Sequence, residues 1–246
     1  MRKSYRELTE EIKTDGERLK LIAALGSSDD LAYHYTLISE DWAAGGTLML
    51  ENSFDRHGEA GIVFLLERLR AFGTASKTDA SATAGTATDT AYLAAKILSQ
   101  LRHRDFYAAR AKELAALLTA RWDISDIALR RKQIIALGWI GSESEINLLI
   151  DSMQSDSDAL CRAWAAAALM QLSFHGVAAD VLREKTKAAF AAAIQKEGDL
   201  NAAGIMIEAA QTLFGKKWIS AAAAEAAESE SIEKARKSAL RFLGKA

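Results

Sequence analysis

The sequence predicts an all-α fold: an α-solenoid of stacked antiparallel helical pairs, about six repeats in 246 residues. Three observations predict it. Apolar residues recur at helical spacing along nearly the whole chain. Proline is absent and alanine abundant, which suits unkinked helices that approach one another closely. Two helical pairs also align on each other at a constant offset of about 32 residues, in the range of solenoid repeats. One pair cannot bury its apolar stripe alone, so stacking neighbours must build the core. The expectation is one domain over 1–246.

Taken in order, Leu19, Ile22, Ala23 and Leu25 form one stripe, ended by Gly26. Ser28 can cap a helix carrying Leu31, Tyr35, Leu37 and Ile38. A second pair is predicted from about Trp42 to Phe54 and from about Gly58 to Phe72. Residues 74–89 hold no bulky apolar side chain, which predicts an exposed, flexible loop there. Helices resume over Thr90–Leu101, Asp105–Leu118, Asp126–Ile140, Glu143–Met153, Asp158–Leu172, Ala178–Ile194 and Leu200–Phe214. A short alanine-rich segment near Ser220–Ala227 and a helix over Ser231–Leu243 end the series.

The offset is clearest where Asp126-Ile127-Ala128-Leu129-Arg130 is laid on Asp158-Ala159-Leu160-Cys161-Arg162. Ala136-Leu137 and Ala168-Leu169 then fall in register. The segment from Asp126 to Leu172 resembles HEAT repeats, notably the bacterial HEAT-like repeats first named from phycobilisome lyases. The matching residues are the turn Asp, the Arg four positions later and the Ala-Leu near the end of the first helix. The resemblance implies that first helices lie on the convex side and second helices line the concave side. It also implies an Asp–Arg ladder between neighbouring repeats, with Asp126 and Arg130, and Asp158 and Arg162, as two rungs.

No catalytic constellation emerges. His34, His57, His103 and His175 are far apart, and none sits in an HExxH motif or in the His-Glu pairs that the HEAT-repeat deoxyhypusine hydroxylases use. Cys161, the only cysteine, lies on an apolar helix and reads as a buried structural thiol. There is no Walker loop, GxSxG or GxGxxG. No cofactor or metal is expected. Lys and Arg number 31 against 33 Asp and Glu, a net charge of −2, which argues against a general nucleic-acid binder. The N-terminus is charged and amphipathic, unlike a signal peptide, and no apolar run is long enough to span a bilayer. A cytoplasmic protein is expected.

The function expected is a non-enzymatic scaffold that binds another protein through its concave surface. Such a scaffold could be a regulatory protein, or an immunity protein that blocks a specific partner. Candidate contacts are Tyr33, Tyr35, Asp105, Tyr107, Arg110, Glu143, Asn147 and Asp151, where aromatic anchors stand among mixed charges. The alternative is a nucleic-acid-binding or base-repair protein of the HEAT-like DNA glycosylase type, using the basic residues Arg102, His103, Arg104, Arg110, Lys112, Arg130, Arg131 and Lys132. Acidic Glu143, Glu145 and Asp151 nearby oppose a phosphate track, so nucleic acid is not the expected partner.

Overall fold

A computed structural model describes residues 2–74, 93–94, 97, 105–120, 122 and 127–244. All regular structure among them is helical. The chain forms two compact units, Met1–Arg110 and Ala111–Ala246.

In the first unit, α1 (Tyr5–Glu11) and α2 (Asp15–Gly26) each begin with a capping box, Ser4 with Glu7 and Thr14 with Glu17. Asp30 caps α3 (Leu31–Ala43). The helix expected over Trp42–Phe54 does not form. Gly45 and Gly46 take φ of 103° and 70°, left-handed values that end α3. A 3₁₀ segment, Leu50–His57, follows and leads into α4 (Gly58–Thr74). The buried Asp41 carboxylate organises the turn, accepting from Tyr5 Oη at 2.8 Å and from the N–H groups of Leu48 and Leu50 at 3.0 and 3.4 Å. Leu37, Ile38, Leu50, Phe54, Ile62 and Leu65 make the core. Beyond Thr74, the expected loop at 74–89 lies outside the described residues. Of the helix expected over Thr90–Leu101, Leu93, Ala94 and Ile97 are described and are helical and buried. α5 (Asp105–Thr119) follows, and the boundary between the two units falls within it, after Arg110.

The second unit contains the repeat. Its helices are α6 (Ile127–Ile140), α7 (Ile146–Ser155), α8 (Ala159–Leu172), α9 (Ala179–Lys196), α10 (Leu200–Leu213), α11 (Ala221–Glu225) and α12 (Ser229–Leu243). The first helices α6, α8 and α10 pack side by side in one layer. The second helices α7, α9 and α12 pack in succession as the other layer. This is the solenoid arrangement expected from the repeat. Small residues set the first-helix spacing. A Cβ added to Gly138 of α6 would lie 2.7 Å from the Cα of Ala168 in α8, so only glycine permits that approach. Fully buried Leu137, Leu149, Leu169, Phe190, Ile194 and Met206 fill the space between the layers.

Candidate binding groove

The turns that start α8 and α10 are built alike. Asp158 caps α8 by accepting from Cys161 N–H at 2.8 Å, and Asp199 caps α10 by accepting from Ala202 N–H at 2.8 Å. Two residues earlier, Asp156 accepts from Asp158 N–H at 2.9 Å and Glu197 from Asp199 N–H at 3.0 Å. An arginine on the preceding first helix reaches each of these upstream acids. Arg130 donates to both carboxylate oxygens of Asp156 at 2.8 and 2.9 Å. Arg162 donates to both oxygens of Glu197 at 2.7 and 2.8 Å. Arg131 forks onto Asp158 in the same way, at 2.8 and 2.7 Å.

A ladder therefore joins successive repeats, but its rungs differ from those expected. Asp126 lies outside the described residues. Asp158 pairs with Arg131 rather than Arg162, because its carboxylate is turned toward its own first-turn N–H and the preceding helix. Arg162 instead reaches forward to the turn before α10 and also donates to the Asp156 carbonyl at 2.8 Å. The paired Arg131 holds the Asp158 carboxyl well below the usual carboxylate range. Burial pushes the Glu197 carboxyl up, but its hydrogen bonds from Arg162 and from the Asp199 N–H outweigh burial and leave it below that range. The narrow cleft of about 190 Å³ beside this rung is lined by Asp156, Arg162, Lys196 and Glu197. Three of those four charges are already engaged in the ladder.

A larger feature lies on the first-helix layer. Between α8 and α10 runs a groove of about 550 Å³. One wall is Leu160, Trp164, Ala167, Met170 and Gln171, and the other is Asn201, Ile205, Glu208, Ala209 and Thr212. Ala224 and Glu225 of α11 close one side. Leu160, Trp164, Ala167 and Gln171 follow i, i+4, i+7, i+11 spacing, which puts them on a single face of α8. Asn201, Ile205, Glu208 and Thr212 repeat that spacing on α10. Trp164 and Ile205, both half-buried, occupy equivalent positions.

Residues 81–170 match the family model described as HEAT repeats. That stretch, 90 of the 246 residues, is similar to HEAT repeats. No curated protein and no solved structure matches it. The described part of the matched stretch includes α6, α7 and most of α8, so Leu160, Trp164, Ala167 and Met170 of one groove wall lie within it.

The residues expected to touch a partner are scattered. Tyr35 is only 5% exposed, packs edge-on against Phe54 and Phe64, and lies under the Arg68 guanidinium. Burial pushes its phenol well above the usual range. It belongs to the core and cannot serve as a contact anchor. Tyr33 is half-buried, donates to the Lys3 carbonyl at 2.6 Å and lies beneath Arg2. The side chains of Asp105 and Tyr107 lie outside the described residues. Arg110 pairs with Glu59 at 2.8 Å. Glu143, Asn147 and Asp151 are exposed on the second-helix side of the second unit, where Lys185 engages Glu143 at 3.3 Å.

Sequence reasoning treated the histidines as isolated, yet two of them meet. His34 Nδ1 lies 2.8 Å from His57 Nε2, and His34 Nε2 lies 3.0 Å from the Leu50 carbonyl. His34 is fully buried, and burial pushes it down to about 4. Among the described residues no three His, Cys, Asp or Glu side chains cluster as metal ligands would. Cys161 is buried, which pushes its thiol up to about 11 and leaves it protonated and inert at neutral pH. Among the described residues, no helix is long and apolar enough to cross a membrane.

Proposed function

We propose that this HEAT-like protein is a non-enzymatic scaffold that binds a partner protein, with the α8–α10 groove as its principal contact surface. HEAT repeats commonly mediate protein interactions. The observation that carries the choice of surface is the pair of matched stripes, with Leu160, Trp164, Met170 and Ile205 half-buried along an open trough. Interfaces are anchored by aromatic and aliphatic side chains that become fully desolvated on binding. The second-helix layer, expected from sequence to be the contact face, presents mainly exposed polar groups such as Asn147, Asp151, Arg183, Glu184 and Lys185. A cytoplasmic setting and a regulatory or immunity role, in which the scaffold occupies and blocks its partner, belong to this same reading.

The nucleic-acid alternative finds less support. Arg130, Arg131 and Arg162 are each engaged bidentately by carboxylates and are not available to phosphates.

The test is affinity capture from the native host with the wild-type protein and an Ile205→Glu variant side by side. A host protein retained by the wild type and lost with the variant is the expected result. If every retained protein is held equally by both, the groove is not the contact surface.

A further inference from the structure

We infer that the groove receives an amphipathic α-helix whose apolar stripe is flanked by lysine or arginine. This rests on the scaffold reading above and adds the chemistry of the partner.

The shape selects a helix. From Leu160 to Gln171 and from Asn201 to Thr212, each wall advances eleven residues, about 16 Å at the α-helical rise. That is roughly three turns, the length over which a docked helix offers anchors at i, i+3 or i+4, and i+7. Ala167 and Ala209 place small side chains midway along opposite walls, while Leu160, Trp164, Met170 and Ile205 supply apolar bulk. A third helix lying in the trough would pack on α8 and α10 as helices pack within the layers. An extended peptide would find less. Both walls are helices whose backbone groups are bonded internally, so they present no sheet edge to pair with.

Charge selects the flanks. The charged residues lining the groove are Glu208 and Glu225, and no lysine or arginine lines it. Neither glutamate forms an ion pair among the described residues. Two uncompensated carboxylates on the border of an apolar trough favour a cationic neighbour, and they repel phosphate backbones and anionic lipid surfaces.

The probe is a fluorescein-labelled peptide of about four helical turns, with leucines along one face and lysines on both flanks. Its controls are the same peptide with glutamates replacing the lysines, and a scrambled peptide of identical composition. Fluorescence anisotropy at low ionic strength should show the basic amphipathic peptide binding about tenfold or more tightly than either control. A Glu208→Lys/Glu225→Lys variant should reverse the preference between basic and acidic peptides. Ile205→Glu should weaken binding of both. Because these side chains are at least partly exposed, helix content and melting temperature are expected to stay near wild type, which separates lost docking from lost folding. Equal binding of basic and acidic peptides, binding of the scrambled peptide, or no binding at about 1 mM would overturn the inference. So would concentration-dependent self-association abolished by Ile205→Glu, which would assign the groove to a second copy of this chain. If the peptides fail while a host protein is still captured in an Ile205-dependent manner, the helix inference falls and the scaffold reading stands. If neither occurs, both fall.

Discussion

Replacing Arg162 by alanine is the sharpest test of how the repeats are joined. The guanidinium makes two hydrogen bonds to Glu197, at 2.7 and 2.8 Å, and one to the Asp156 carbonyl at 2.8 Å. Glu197 keeps only 2% of its side-chain surface, whereas Arg162 keeps 23%, so the variant strands a buried carboxylate. Removing one partner of a buried pair costs about 3–5 kcal/mol. Water reaches the arginine side of this pair, which places the expected loss near the lower end, about 3 kcal/mol. At roughly 2–4 °C per kcal/mol for a chain of 246 residues, the melting temperature should drop by about 6–12 °C. Thermal melts followed by circular dichroism would measure it, with Glu197→Gln and the double variant completing a cycle. The double variant should lose less than the two single losses added together, because the second change removes the stranded charge. A loss below about 1 kcal/mol, or strict additivity, would mean that the rung does not hold the repeats together.

Two further outcomes follow from the packing and the titration. Gly138→Ala gains up to about 1 kcal/mol of helix propensity but forces a Cβ to 2.7 Å from the Ala168 Cα, so a net loss of about 1–2 kcal/mol is expected by urea unfolding. Gly16→Ala, whose nearest neighbour would be 3.9 Å away, should be neutral or stabilising, and equal stability of the two variants would rule out the close α6–α8 approach. Burial holds His34 down at about 4, below the ordinary imidazole value near 6.5. The unfolded chain therefore binds the extra proton between those values, and stability present above about pH 6.5 is lost as pH falls toward 4. At 1.36 kcal/mol per pH unit the loss approaches about 3 kcal/mol, so the urea midpoint of the wild type should fall relative to His34→Gln over that window. Parallel pH profiles would contradict it.

Much of the fold was legible because periodicity and caps are local. The boundaries expected for α8, α9 and α10 differ from those found by at most two residues, as strong N-caps such as Asp158 and Asp199 would lead one to expect. The segment after α3 failed for a local reason too: apolar spacing over Trp42–Phe54 suggested a helix, but two consecutive glycines in left-handed conformations outweighed it. Tyr35 shows what periodicity leaves undecided. An aromatic on an amphipathic helix reads equally as anchor or core, and only the placement of Phe54 and Phe64 against it decides for core. His34 and His57 were invisible as a pair because the turn that joins them lies between an α-helix and a 3₁₀ segment, where no repeat spacing applies.

The groove stayed hidden because of repeat length. The alignment that revealed the repeat carries Asp126 onto Asp158, 32 residues on. The next step, from Asp158 to Asp199, is 41 residues. Much of the difference lies in the second helices, since α7 has 10 residues and α9 has 18. A search at the shorter offset therefore carries Trp164 onto Lys196 instead of Ile205. The structural equivalence survives because the caps, the upstream acids and the arginine rung fix where each first helix begins. Lengthening a second helix extends the opposite layer and leaves the start of the next first helix in register. The repeat can thus vary in length without disturbing the trough. The price in legibility is that the stripes on α8 and α10 match in space while standing out of step in sequence.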